Sequence, residues 1–228
     1  MITPVTVVGG AGRTGGLVVE ALLRRGAEVR IASRRATAAT DMAAREVSAF
    51  DADVRDGTGL TGALLGAAGV VYSVEPGTAD SGPDRPETTM YQGVRNVLAA
   101  CQTPSTRFVL VSSIYATRHD HPFNQWGHLL DWRLRGEDAV RGSGLPYTIV
   151  RPGWLADRRG KATAIRLEQG DRGEGRVARA DVAEACVQAL GCPSATGVTF
   201  EMYNAPGPPP TDWDRMFSML TRDPVPAR

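Results

Sequence analysis

The sequence almost lacks lysine: every one of its 26 basic residues except Lys161 is arginine. A mechanism that needs a lysine must therefore use Lys161 or be discarded. Cysteine is scarce too. Cys101, Cys186 and Cys192 form no CxxC pair and no dense framework, which excludes a disulfide-stapled scaffold and fits reduced thiols in a cytoplasmic protein. No apolar run nears the ~18 residues of a membrane span. The first β-branched run, Val5–Val8, begins so early that no secretory leader is expected. Net charge is only +1, so no global field recruits nucleic acid or an anionic membrane. A small molecule is the expected partner, and a homodimer is left open.

What is present describes a globular chain. Its 228 residues suit one domain with a sizeable core, and 42% hydrophobic with 22% charged residues is ordinary for that class. Short β-branched runs alternate with amphipathic segments. Strands are expected at Val5–Val8, 28–32, 47–50, 69–74, 107–112, 147–151 and 198–203. Helices are expected at 13–25, 87–101, about 124–142 and about 180–190, with a short amphipathic segment around Trp213 and Phe217. That alternation implies an α/β fold with a doubly wound parallel sheet. The expected layout is one domain, 1–228, with substrate-side elements around 115–130, 154–176 and 204–228.

The strongest motif is Val7-Val8-Gly9-Gly10-Ala11-Gly12-Arg13-Thr14-Gly15, which lies between the first strand and the first helix. One glycine turns sharply, one admits a pyrophosphate close to the backbone, and one lets helix and strand pack. The helix start at Arg13 and Thr14 then offers free N–H groups and the positive end of a dipole. This strand–turn–helix context is what separates a dinucleotide site from a structural glycine turn. The second strand ends Ile31-Ala32-Ser33-Arg34-Arg35, with no carboxylate for a ribose 2′-hydroxyl. Ser33, Arg34 and Arg13 suit a 2′-phosphate instead, because guanidinium forks onto phosphate oxygens. NADP(H) is the expected cofactor.

With these features the chain resembles an atypical short-chain dehydrogenase/reductase of the NmrA-like, NAD(P)H-binding branch, over roughly residues 4–203. The resemblance also rests on Asp51-x-Asp53-Val54-x-Asp56, Gly93-x-x-Asn96, Val111-Ser112-Ser113, Gly144-Leu145-Pro146-Tyr147 through Pro152-Gly153, and Val177-Ala178-Arg179-Ala180-Asp181. It implies a Rossmann fold, with Asp53 and Val54 bordering the adenine. Typical members carry a serine and a YxxxK pair whose spacing puts both side chains on one helical face. By the resemblance Arg133 takes the lysine position and Leu129 the tyrosine position, so the usual acid is absent. Lys161 lies beyond the sixth strand and cannot restore the pair.

Ser113 is retained and can hydrogen-bond a substrate oxygen or simply cap the strand end. Arg133 can hold a ribose or an anionic substrate, or sit on a solvated helix face. It cannot shuttle a proton. All three histidines, His119, His121 and His128, fall in one short stretch after the fifth strand, and histidine can relay protons near neutral pH. His128 is favoured because it opens the long helix. Tyr115, His119, His121 and Trp154 are expected on the substrate side, with Trp154 as an apolar wall. No metal is expected, because His119-x-His121 lacks a third ligand at recognisable spacing. Three readings follow: an NADPH-dependent reductase of a small carbonyl or conjugated substrate; an isomerase, cyclase or dehydratase on the same scaffold; and a non-catalytic NADP-sensing protein. The arginine- and alanine-rich composition resembles that of a high-GC bacterial source and suits specialised metabolism.

Overall fold

A computed structural model describes residues 2–38, 47–77, 79, 81–157, 160 and 163–224. Its strands are β1 (Val5–Val8), β2 (Val29–Ser33), β3 (Ser48–Asp51), β4 (Gly69–Tyr72), β5 (Arg107–Val111), β6 (Tyr147–Pro152), β7 (Trp154–Ala156), β8 (Ala164–Glu168), β9 (Arg176–Ala178) and β10 (Val198–Ala205). Its helices are α1 (Arg13–Leu23), α2 (Leu60–Leu64), α3 (Gly93–Ala100), α4 (Leu129–Arg141), α5 (Arg179–Gly191) and α6 (Trp213–Ser218). A π-helical segment, Glu87–Gln92, runs directly into α3.

The main sheet has the order β3-β2-β1-β4-β5-β6-β10-β8. Its neighbours are parallel except at the β8 edge, which pairs antiparallel with β10. All four residues of β1 and all four of β4 are buried, as strands covered on both faces must be. One apolar layer joins Val18 and Leu22 of α1, Val182 and Cys186 of α5, and Trp213 and Phe217 of α6. The other joins Leu60 and Leu64 of α2, Val94 and Val97 of α3, and Val140 of α4. The chain leaves β1 for β2 on one side and returns as β4 on the other. Val8 therefore sits between Ala32 and Tyr72, at the crevice where doubly wound sheets bind ligands.

The expected strands and long helices are all present, and three segments differ from expectation. Helix α4 starts at Leu129 rather than about 124. Gly127 and His128 adopt φ of 59° and 55°, while the Asn124 Oδ1 accepts the amides of Leu130 and Asp131 at 2.8 and 3.2 Å. The stretch after β6 is not a loop but contributes β7, β8 and β9. Of the tail, expected on the substrate side from 204 onward, residues 204–207 stay at the carboxyl end of β10, where Gly207 O accepts the Ala164 amide at 2.8 Å, but its last described part packs at the amino ends of the strands. Asp223 receives the Tyr147 hydroxyl at 3.0 Å and the Thr199 hydroxyl at 2.6 Å, both at strand beginnings. The three cysteines are free, and burial pushes the thiols of Cys101 and Cys186 up to about 11 and about 12.

Helix α4 buries Leu130, Arg133, Gly136, Glu137 and Val140 on one face. That spacing is the helical repeat, yet only two of the five are apolar. Gly136 is required because a Cβ would strike the Met90 carbonyl oxygen. Glu137 is fully buried and meets Arg151 in a fork of 2.9 and 2.6 Å. It also accepts the Ser112 hydroxyl at 2.7 Å and Arg141 Nη2 at 2.9 Å. The third Arg151 nitrogen reaches Glu201 at 3.1 Å. Burial alone would lower the Arg151 pKa, but the hydrogen bonds and charges of Glu137 and Glu201 raise it. Removing one partner of a buried pair costs about 3–5 kcal/mol, because the other charge stays desolvated. Arg151→Met is expected to lose that much in urea denaturation. Ser112→Ala, which leaves the fork intact, should lose about 1 kcal/mol.

Candidate functional site

The turn after β1 follows steric necessity. Gly9 has φ of +82°, and a Cβ there would strike the Ser73 carbonyl oxygen; one on Gly15 would strike the Gly9 carbonyl oxygen. The Gly9 amide bonds Ala32 O at 2.8 Å, and Gly9 O receives the Gly12 amide at 2.9 Å. Gly12 caps α1 without any side-chain acceptor. The amides of the first turn have no intrahelical partners and are available to phosphate oxygens. The close backbone approach at Gly9, Gly12 and Gly15 is a cradle that any side chain would fill, and it fits a dinucleotide.

A cavity of about 490 Å³ opens beside this turn, lined by Gly9, Gly12, Ser33, Arg34, Arg35, Asp53, Val54 and Arg55 among others. The Ser33 hydroxyl accepts the Ala11 amide at 3.2 Å. Arg34 lies 3.8 Å from Asp84. Arg55 forks onto Asp53 through Nε at 2.9 Å and Nη2 at 2.5 Å, and the hydrogen bond from Arg55 lowers the Asp53 pKa against its partial desolvation. Asn96 holds the Val54 carbonyl at 2.7 Å. Asp51, at the end of β3, accepts the Thr37 amide and hydroxyl at 3.0 and 2.6 Å. Sequence reading missed Arg35 and Arg55 as lining residues. The acid–base spacing Asp53-x-Arg55 was the available signal.

A second cavity of about 630 Å³ shares Gly12, Ser73 and Glu75 with the first, so the two form one trough. Val111, Ser112, Ser113 and Tyr115 bring the end of β5 to it, Leu129, Leu130 and Arg133 bring α4, and Trp154 and Leu155 bring β7. Ser112 turns inward to Glu137. The adjacent Ser113 Oγ is buried with no hydrogen-bond partner. Arg133 donates from Nη2 to Glu75 Oε2 at 2.6 Å, while its Nε and Nη1 are buried without a partner. The Arg133 side chain is 5% exposed. Phe123 meets the edge of Trp154 at 5.4 Å between centroids and stacks on Trp126 at 4.8 Å.

A profile describing NAD(P)H-binding proteins matches residues 9–193. The chain belongs to this NAD(P)H-binding, atypical short-chain-reductase-like family. An uncharacterized chloroplastic protein of Arabidopsis thaliana is 30% identical, covering 95% of this chain and 75% of its own. Sanguinarine reductase of Eschscholzia californica is 32% identical over 60% of this chain and 54% of its own length. Quinone oxidoreductase 2 of Escherichia coli is 24% identical over 87% of this chain and 68% of its own. Among solved structures, a putative NAD-dependent epimerase/dehydratase from Bacillus halodurans shares the fold with a TM-score of 0.80 at 22% identity, covering 95% of this chain and 99% of that one.

Within this NAD(P)H-binding chain, two expected placements change. Arg13 does not line the Ser33–Arg34 cavity; it lines the second cavity with Thr14 and lies 3.5 Å from Asp157. Its position at the helix start sends the side chain toward β7 rather than β2. The histidines also sit differently from expectation, since none of the three is among the described residues lining either cavity. His119 and His128 are 68% and 74% exposed and share Asp131 through contacts of 2.8 and 3.3 Å. Burial opposes the ionisation of Asp131, but the hydrogen bonds from His119, His128 and Asn124 together with the His119 charge lower its pKa on balance. His121 stacks behind Tyr115 at 4.4 Å. His128 does open α4, but from a left-handed turn that faces solvent. Lys161 lies outside the described residues. Among described residues no cluster could hold a metal.

Tyr115 carries φ of 71°, rare for a bulky residue. It is over-determined. The buried Asp171 carboxylate accepts the Tyr115 amide at 2.6 Å and the Thr117 amide and hydroxyl at 2.9 Å. Arg118 bonds the Asp171 carbonyl at 2.9 and 2.7 Å and covers the Tyr115 ring at 4.5 Å. The strained backbone is thus held in place at the wall of the second cavity. Asp171 itself has φ of 53°, which asparagine tolerates. Asp171→Asn keeps that backbone but loses acceptor capacity. We expect a loss of about 1–3 kcal/mol in thermal unfolding and faster hydrogen exchange at the Tyr115 amide, with β1 amides unchanged.

Proposed function

We propose that the protein is an NADPH-dependent reductase of a small conjugated carbonyl compound. The observation that carries this reading is the single trough. Its first half has a glycine cradle and arginines, and its second half pairs apolar walls with unpartnered Ser113 and Arg133 donors. The first-turn amides at Arg13 and Thr14 would hold the pyrophosphate. Ser33 and Arg34, joined by Arg35, would hold the 2′-phosphate, and Asp53 and Val54 would flank the adenine. When bound, the cofactor supplies a hydride equivalent to the second cavity.

The chain's own residues do the rest. Tyr115, Phe123, Leu130 and Trp154 place a flat substrate. Ser113 Oγ donates to the acceptor oxygen, and Arg133 fixes a positive charge beside it. Neither delivers the proton, because guanidinium stays charged and serine is a weak acid. With Leu129 in the tyrosine position, water is the proton source. The names of the relatives, a sanguinarine reductase and a quinone oxidoreductase, favour a reductase over a non-redox enzyme. We further propose a cytoplasmic location, in keeping with three free cysteines and, among the described residues, no helix long and apolar enough to cross a membrane.

Calorimetric titration should show NADPH binding about tenfold or more tightly than NADH, the size of one charge-assisted contact. Arg34→Ala is expected to remove most of that preference while leaving NADH affinity near parental. With quinones and enones as acceptors, cofactor absorbance should fall in step with substrate loss. Substrate conversion without net cofactor consumption would point to an isomerase or dehydratase instead.

A further inference from the structure

The second cavity contains a cation whose hydrogen bonds are unfinished. Arg133 is nearly sealed from water, and Glu75 takes one of its three nitrogens. Its Nε and Nη1 have no acceptor. Leaving such donors buried and unpaired costs free energy, so a ligand that supplies the acceptor gains what the empty cavity lacks. Ser113 Oγ, also buried and unpartnered, lines the same cavity. Among the described residues Glu75 is the only carboxylate lining this half, against Arg13, Arg133 and Arg179. Asp157 is shared by Arg13 at 3.5 Å and Arg179 at 2.5 Å. Among the described residues, Arg133 is the one of the three arginines with buried donors that lack an acceptor. An oxygen anion that reaches either free nitrogen completes a charge-assisted hydrogen bond to the guanidinium. The surrounding walls, Tyr115, Phe123 and Trp154, are aromatic.

We propose that this cavity is an oxyanion subsite selecting planar conjugated ligands that present an anionic oxygen to the unfinished Arg133 guanidinium, with Ser113 as a further donor. This rests on the reading of the second cavity as the substrate half of the trough. Glu75 is then a specificity-determining residue, since it competes with the ligand for the same guanidinium.

The test uses 2-naphthoate and its neutral isostere 2-naphthamide as probes, titrated calorimetrically into the full chain saturated with NADP⁺. NADPH and NADP⁺ affinities are measured first, so that failure of the cofactor reading is seen separately. For the parental protein, naphthoate should bind at least about tenfold more tightly than naphthamide. Arg133→Gln should abolish the preference with NADP⁺ affinity kept. Arg133→Lys, which keeps the charge but not the planar donor set, should retain part of it. Glu75→Gln should tighten naphthoate and leave naphthamide unchanged, a response that a merely structural role would not produce. Equal affinities for the two probes, or no binding of either, would overturn the proposal. So would an Arg133→Gln protein that loses NADP⁺ affinity but keeps the naphthoate preference, since Arg133 would then serve the cofactor.

Discussion

The Glu137 carboxylate is the point on which the carboxyl end of the sheet depends. It is fully buried, and its acceptor capacity is taken by Arg151, Arg141 and Ser112. Those partners come from β6, from α4 itself and from the end of β5. One carboxylate therefore fixes the helix against two strands. The chain of contacts continues through Arg151 to Glu201 on β10, and Glu201 accepts the Asp171 amide at 3.0 Å. Asp171 then holds the strained Tyr115 turn. A buried ion pair adds little net stability compared with apolar packing. Its value here lies in direction, because an apolar contact would let α4 rotate or slide, and a fork does not.

That direction decides the chemistry of the second cavity. Glu137 engages Ser112, so its neighbour is left to the cavity. Four residues before Glu137, Arg133 lies on the same helical face, held toward Glu75 at the junction of the two cavities. The glycine turn achieves a parallel result at the other end of the trough. There backbone is brought so close to backbone that Gly9 and Gly15 admit no side chain. One half of the trough is thus shaped by the absence of side chains and the other by buried charge. The first suits a diphosphate, and the second suits a flat ligand bearing an oxygen.

The sequence by itself determined the parallel strands of the sheet and the cofactor turn. Runs such as Val5–Val8 and Phe108-Val109-Leu110-Val111 are rich in β-branched and other apolar residues, so their burial follows from composition. The glycine turn was legible because its spacing over residues 9–15 lies directly between a strand and a helix, although Ala32 and Ser73 complete its packing. The tertiary structure alone decided what depends on partners distant in the chain. Asn124 capping Leu130 moved the start of α4 and turned His128 to solvent. The helix start aimed Arg13 at Asp157 rather than at β2. The polar face of α4 reads as a solvated one until Arg151 and Glu75 arrive from elsewhere in the chain. Local hydrophobic pattern fixes which segments are strands and helices, whereas the pairing of buried charges is fixed only when those segments meet.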